Sequence, residues 1–107
     1  MQRRLTMCIV LMSELDNSNK DSVGRDIVFR YLDDYNYMHD CNLSYFIDDS
    51  EGSEFYRLSL DETVLTVDNG KWKFKSPNYT KEVSEAFKSL IEDIYERFQI
   101  RIPLEIM

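Results

Sequence analysis

Proline, glycine, histidine and cysteine are all scarce in this chain, and each scarcity closes off a class of protein. With two prolines and three glycines in 107 residues, it has no flexible linker and no low-complexity segment. It also has no Gly-rich loop to cradle a phosphate or a dinucleotide, no Walker motif and no Ser-centred elbow. Cys8 and Cys41 lack the spacing of a disulfide framework, and Cys8 lies in an apolar run, so both are expected as free thiols. A lone histidine, His39, is too few for a His/Cys zinc site.

Long hydrophobic runs are missing too. Leu5–Met12 follows Arg3 and Arg4 and has the outward form of a secretory leader. The acidic Glu14 and Asp16 stand where a small-residue cleavage site belongs, and the run is far below the roughly 20 residues of a membrane helix. A soluble, cytoplasmic protein with no membrane partner is the expectation. Positive charge is also short: 13 Lys and Arg against 20 Asp and Glu give a net charge of −7. That disfavours direct nucleic-acid binding, which needs a basic face.

What remains is enough for a core. Hydrophobic residues make up 43% and aromatics 13% of the chain, so residues 1–107 are expected to form one globular domain. The sharpest local signal is Asp68-Asn69-Gly70-Lys71, because Asn-Gly between apolar stretches supplies the two positive-φ positions of a type I′ hairpin turn. That register opposes Val67 to Trp72 and Leu65 to Phe74 on one face, and Asp68 to Lys71 and Thr66 to Lys73. Tyr56, Leu58 and Leu60 alternate before it, with a tight turn at Asp61-Glu62, and Leu43, Tyr45 and Ile47 alternate before those. Four antiparallel strands in a meander with one strongly apolar face follow from the pattern.

Thr80 caps a helix in which Val83, Phe87, Leu90, Ile91, Ile94 and Phe98 form one stripe. A last strand is expected over Ile100–Ile106, held to an edge by Pro103. Thr6–Met12 reads as a buried strand, with a helix as the alternative for so short a run, and Asp16–Asn19 as a loop. Val23, Ile27, Val28, Tyr31, Leu32 and Tyr35 keep helical spacing. The expected fold class is therefore α+β, a mainly antiparallel β-sheet in the order β-α-β-β-β-β-α-β, with two helices packed on one face.

No catalytic residue stands out. His39-Asp40-Cys41 sets its side chains on neighbouring positions that cannot converge on one bond, and reads as a turn. Asp48-Asp49-Ser50-Glu51-Gly52 has carboxylates without the alternating ligands and closing Glu of a calcium loop, so no metal is assigned. No cofactor is expected. Lys71, Lys73 and Lys75 fall on the face opposite Trp72 and Phe74 and read as lysines that guard a sheet edge.

Charge is unevenly placed. Between Asp33 and Glu62 lie nine carboxylates (Asp33, Asp34, Asp40, Asp48, Asp49, Glu51, Glu54, Asp61 and Glu62), with Arg57 the one basic residue. Tyr35, Tyr37, Phe46 and Phe55 are interleaved with them, and Phe46 and Phe55 are expected as a cross-strand pair opposite the core. Acidic groups around exposed aromatics suit capture of a basic protein: charge speeds encounter and aromatic anchors supply affinity. Those thirteen residues are the candidate partner-binding set. The plain alternative is an acidic surface that only keeps the protein soluble.

In size, acidity and absence of catalytic residues, the chain resembles in kind the immunity proteins paired with bacterial toxins and the phage inhibitors of host nucleases. The resemblance implies a non-catalytic inhibitor that plugs a basic, nuclease-like toxin. Two other readings stand beside it: a structural or regulatory subunit that self-associates through a sheet edge, as a homodimer, and a small hydrolase using carboxylates or Cys41.

Overall fold

The meander is longer than the four strands expected, and its second strand lies where the sequence pattern predicts a helix. The computed structural model describes residues 8–78 and 80–103. Its strands are β1 (Ile9–Asp16), β2 (Ser22–Leu32), β3 (Met38–Asp48), β4 (Ser53–Leu60), β5 (Thr63–Asp68) and β6 (Lys71–Lys75), followed by one helix, α1 (Lys81–Phe98). Each strand pairs antiparallel with the next, so spatial order repeats chain order from β1 to β6.

The Asn-Gly hairpin has the expected register, with Val67 opposite Trp72 and Leu65 opposite Phe74. Asn69 (φ 51°) and Gly70 (φ 85°) take the two positive dihedrals that a type I′ turn requires. Leu58 opposes Leu65, and Phe46 opposes Phe55, also as the alternation implies. Thr80 caps α1 by accepting a hydrogen bond from the Val83 amide, and Gln99 closes the helix in the left-handed conformation.

The expected first helix is overturned: Ser22–Leu32 is a strand. Ile27, Phe29 and Tyr31 are buried at period two, while Val28 and Arg30 are exposed. Helical spacing accommodated Ile27 and Tyr31 but left Phe29 on the wrong side. A segment so rich in β-branched and aromatic residues gains more by pairing between β1 and β3 than by folding on itself. The N-terminal strand also differs from expectation, because only Ile9 in β1 is buried. Residues 6 and 7 of that expected strand lie outside the described residues. Residues 100–103 form no strand, although Ile100 and Ile102 are buried and Arg101 is exposed as a period of two requires; residues 104–107 are again outside the described part.

Helix α1 runs across the sheet from β6 towards β1. Phe87 meets Phe74 edge-on with ring centroids 5.3 Å apart. Near the other end Phe98 lies 6.4 Å from Phe29, and Arg97 donates to the Ile9 carbonyl. Leu43, Leu58, Leu90 and Ile94 are fully buried between the two layers, each contributing about 1.5–3 kcal/mol by leaving water. A polar bond crosses this interior: the Tyr31 hydroxyl donates to Asp93 at 2.9 Å. No helix of the described residues is long and apolar enough to cross a membrane.

Candidate functional site

A meander sends alternate loops to opposite ends of the sheet, and this divides the thirteen candidate residues into two groups. At one end are the β2–β3 turn and the β4–β5 turn, with Asp33, Asp34, Tyr35, Tyr37, Asp61 and Glu62. At the other are the β1–β2, β3–β4 and β5–β6 loops, with Asp48, Asp49, Glu51 and Glu54. Phe46 and Phe55 lie near the second end. Tyr35 and Tyr37 therefore do not join the phenylalanines in one surface. Asp40 belongs to the first end, on the uncovered face, where it pairs with Arg30 at 3.3 Å.

The first end is a closed hydrogen-bonded device. His39 is not in a turn as anticipated but in β3, on the helix-covered face. Its Nδ1 meets Asp61 at 2.5 Å and its Nε2 meets Asp33 at 2.7 Å. Asp33 is buried and also accepts from the amides of Tyr35 and Tyr37; Asp61 accepts from the Asp40 amide. Burial alone pulls the imidazolium pKa down, but the two carboxylates outweigh it and hold His39 above an ordinary histidine. Burial likewise pushes Asp33 up, and is outweighed by its bonds to His39, Tyr37 and Tyr35, leaving it below the usual carboxylate range.

A cleft of about 280 Å³ opens beside His39, lined by Asp61, Glu62, Thr63, Ser76 and Val83 among others. Its chemistry is limited. Both nitrogens of His39 are engaged by carboxylates, so neither is free to accept a proton from a substrate. The Thr63 and Ser76 hydroxyls bond to each other at 2.9 Å. Burial, with help from Asp61 and Asp40, pushes the Cys41 thiol far above its normal pKa, the reverse of what an attacking thiolate needs. Cys8 and Cys41 are both free thiols. Among the described residues no three His, Cys, Asp or Glu side chains are placed so that they could hold a metal ion.

The second end is open. Phe46 and Phe55 stand side by side on the sheet face that α1 does not cover, 42% and 38% exposed. Gly24 is their neighbour on β2, and a side chain there would come within 3.3 Å of the Phe46 ring. The glycine thus makes room for an aromatic that the core does not hold. Asp68 opposes Phe55 on its other flank.

Three loops gather around this pair. The Asp49 amide donates to the Asp21 carbonyl, joining the β1–β2 and β3–β4 loops. Asn69 joins the third, its amide donating to the Glu54 carbonyl and its side chain accepting from the Glu54 amide. Together these loops carry Asp16, Asp21, Asp48, Asp49, Glu51, Glu54 and Asp68 against two lysines, Lys20 and Lys71. Glu54 alternates with Phe55 and so leans to the helix side, beside Tyr56. Asp48 is turned inward to its own loop by bonds from Ser50 and Glu51.

Asp16, Asp21 and Asp68 were missed by the sequence reading. The signal lay in topology: once Ser22–Leu32 is a strand, the loops before it and after β3 fall at the same end. Compared with known proteins, the chain matches no family model, no curated protein and no solved structure.

Proposed function

We propose that this protein is a non-catalytic binding protein that captures a basic protein partner, in the manner of an immunity protein or inhibitor that occludes a nuclease-like enzyme. The observation that carries the reading is the Phe46–Phe55 pair, exposed on the uncovered face at the sheet end where three loops concentrate carboxylates. Two half-exposed phenylalanines supply apolar anchors, and surrounding negative charge draws a cationic surface to them. The partner surface that fits is one evolved to hold phosphates, rich in Lys and Arg, which is why a nuclease domain is the favoured class.

The contact set narrows to Phe46, Phe55, Asp49, Glu51 and Asp68, with Asp48 and Asp21 at its border. Asp33 and Asp61 are committed to His39 instead. The test is titration calorimetry against purified bacterial nuclease-toxin domains, in low and high salt. A one-to-one complex that weakens steeply with salt and is lost in Phe46→Ala/Phe55→Ala supports the reading. Binding that ignores both phenylalanines and the charge reversals Asp49→Lys and Glu51→Lys contradicts it.

A further inference from the structure

The two edges of the sheet are unlike. On β6 the outward side chains of the uncovered face are Lys71, Lys73 and Lys75, all exposed. A second sheet docking along β6 would set ammonium groups against one another, the usual way an edge is kept single. On β1, Val10, Leu11, Met12 and Leu15 are 48%, 39%, 54% and 59% exposed. No lysine, arginine or proline lies in Ile9–Asp16, and among the described residues no strand lies on the far side of β1. The Ile9 carbonyl on that side already accepts from Arg97; the other backbone groups of an edge strand keep their capacity to pair.

We infer that β1 is a homodimer seam, along which a second copy of this chain adds its own β1 antiparallel to form a continuous twelve-stranded sheet. The occupant is a second copy because the strand complements itself. A two-fold axis perpendicular to the sheet near Leu11 opposes Val10 to Met12 of the other copy and carries Glu14 and Asp16 of each beyond the other's Ile9, so no carboxylate faces a carboxylate. The same two-fold sends the three-loop ends of the two copies, each from a chain of net charge −7, to opposite ends of the joint sheet. A parallel arrangement would stack them together. The lysine-bearing β6 edges are left outermost, so assembly stops at two copies. The β-bulge between Leu11 and Ser13 bends the strand and keeps the seam short, which makes the dimer a concentration-dependent one.

This seam does not rest on the partner-binding reading, and salt separates the two. Raising salt screens the repulsion between two acidic copies and strengthens the dimer, whereas it weakens capture of a basic protein. The experiment is sedimentation velocity of the full chain over a concentration series, beside Val10→Lys/Met12→Lys. The expected result is a monomer–dimer equilibrium that rises with salt and reverts to monomer in the variant, whose circular dichroism stays native. A wild-type chain that is monomeric throughout, a variant that dimerises unchanged, or open-ended polymer overturns the inference. Should the variant fail to fold, amide hydrogen exchange on the wild type decides. Protection of Val10–Met12 that grows with concentration supports the seam, and protection that does not change overturns it.

Discussion

The two faces of one sheet divide the labour of this molecule. Under α1, Ile27, Phe29, Leu43, Leu58 and Leu65 are sealed from water and fix the fold. On the other face the central positions are Asp26, Asn42, Ser44, Arg57, Ser59 and Thr66, in register from β2 to β5. Asp26 accepts from the Ser44 hydroxyl and the Asn17 side chain there, a surface built to remain wet. Against that background Phe46 and Phe55 stand out as an adjacent aromatic pair, larger than the exposed Val28 on the same face. A half-exposed apolar pair contributes less to folding than a buried one, and it is the pair on which the proposed capture of a partner rests.

The sharpest way to break this contrast is to exchange the same kind of deletion between faces. Leu90→Ala under the helix should cost about 2–5 kcal/mol in urea unfolding, the cavity adding to the lost burial. Phe46→Ala on the open face should cost about 1 kcal/mol or less. Equal losses would mean that the open face is covered after all.

Next in size is the polar bond through the core. Tyr31→Phe removes the hydroxyl that donates to buried Asp93 and should cost about 1–3 kcal/mol in the same assay. No measurable loss would show that Asp93 is satisfied without it.

The smallest effect separates the two ends rather than the two faces, and depends on pH. His39 is held above its ordinary pKa, so its clamp contributes fully below the unfolded-chain value near ~6.5 and fades as pH rises through the folded value. Asp33 is held below its ordinary value, so its share is present above ~3.9 and fades as pH falls through the depressed folded value. The melting-temperature gap between wild type and His39→Gln should therefore be widest at about pH 5–6 and narrow towards about pH 9. A gap independent of pH would show that the ring acts by packing alone.

Much of the architecture was legible because it rests on local rules. Asn69-Gly70 set the hairpin register, alternation placed Phe46 opposite Phe55, and Thr80 opened the helix. Strand β2 was not, because Val23, Ile27 and Tyr31, four residues apart, satisfy two periods at once and only the pairing partners on either side choose between them. The grouping of the acidic and aromatic residues was half legible, since Asp33–Glu62 is contiguous in sequence while a meander divides it between two ends of the sheet. The His39 clamp was beyond reach, being closed by carboxylates 6 and 22 residues away.

The most direct test of the central claim is affinity capture from lysate of the native cell with three baits: wild type, Phe46→Ala/Phe55→Ala, and Asp49→Lys/Glu51→Lys. The expected result is a basic protein retained in one-to-one ratio by the wild type, released by salt, and lost by both variants while their melting temperatures stay close to the wild type. A basic protein held equally by all three baits, or none that distinguishes them, would contradict it.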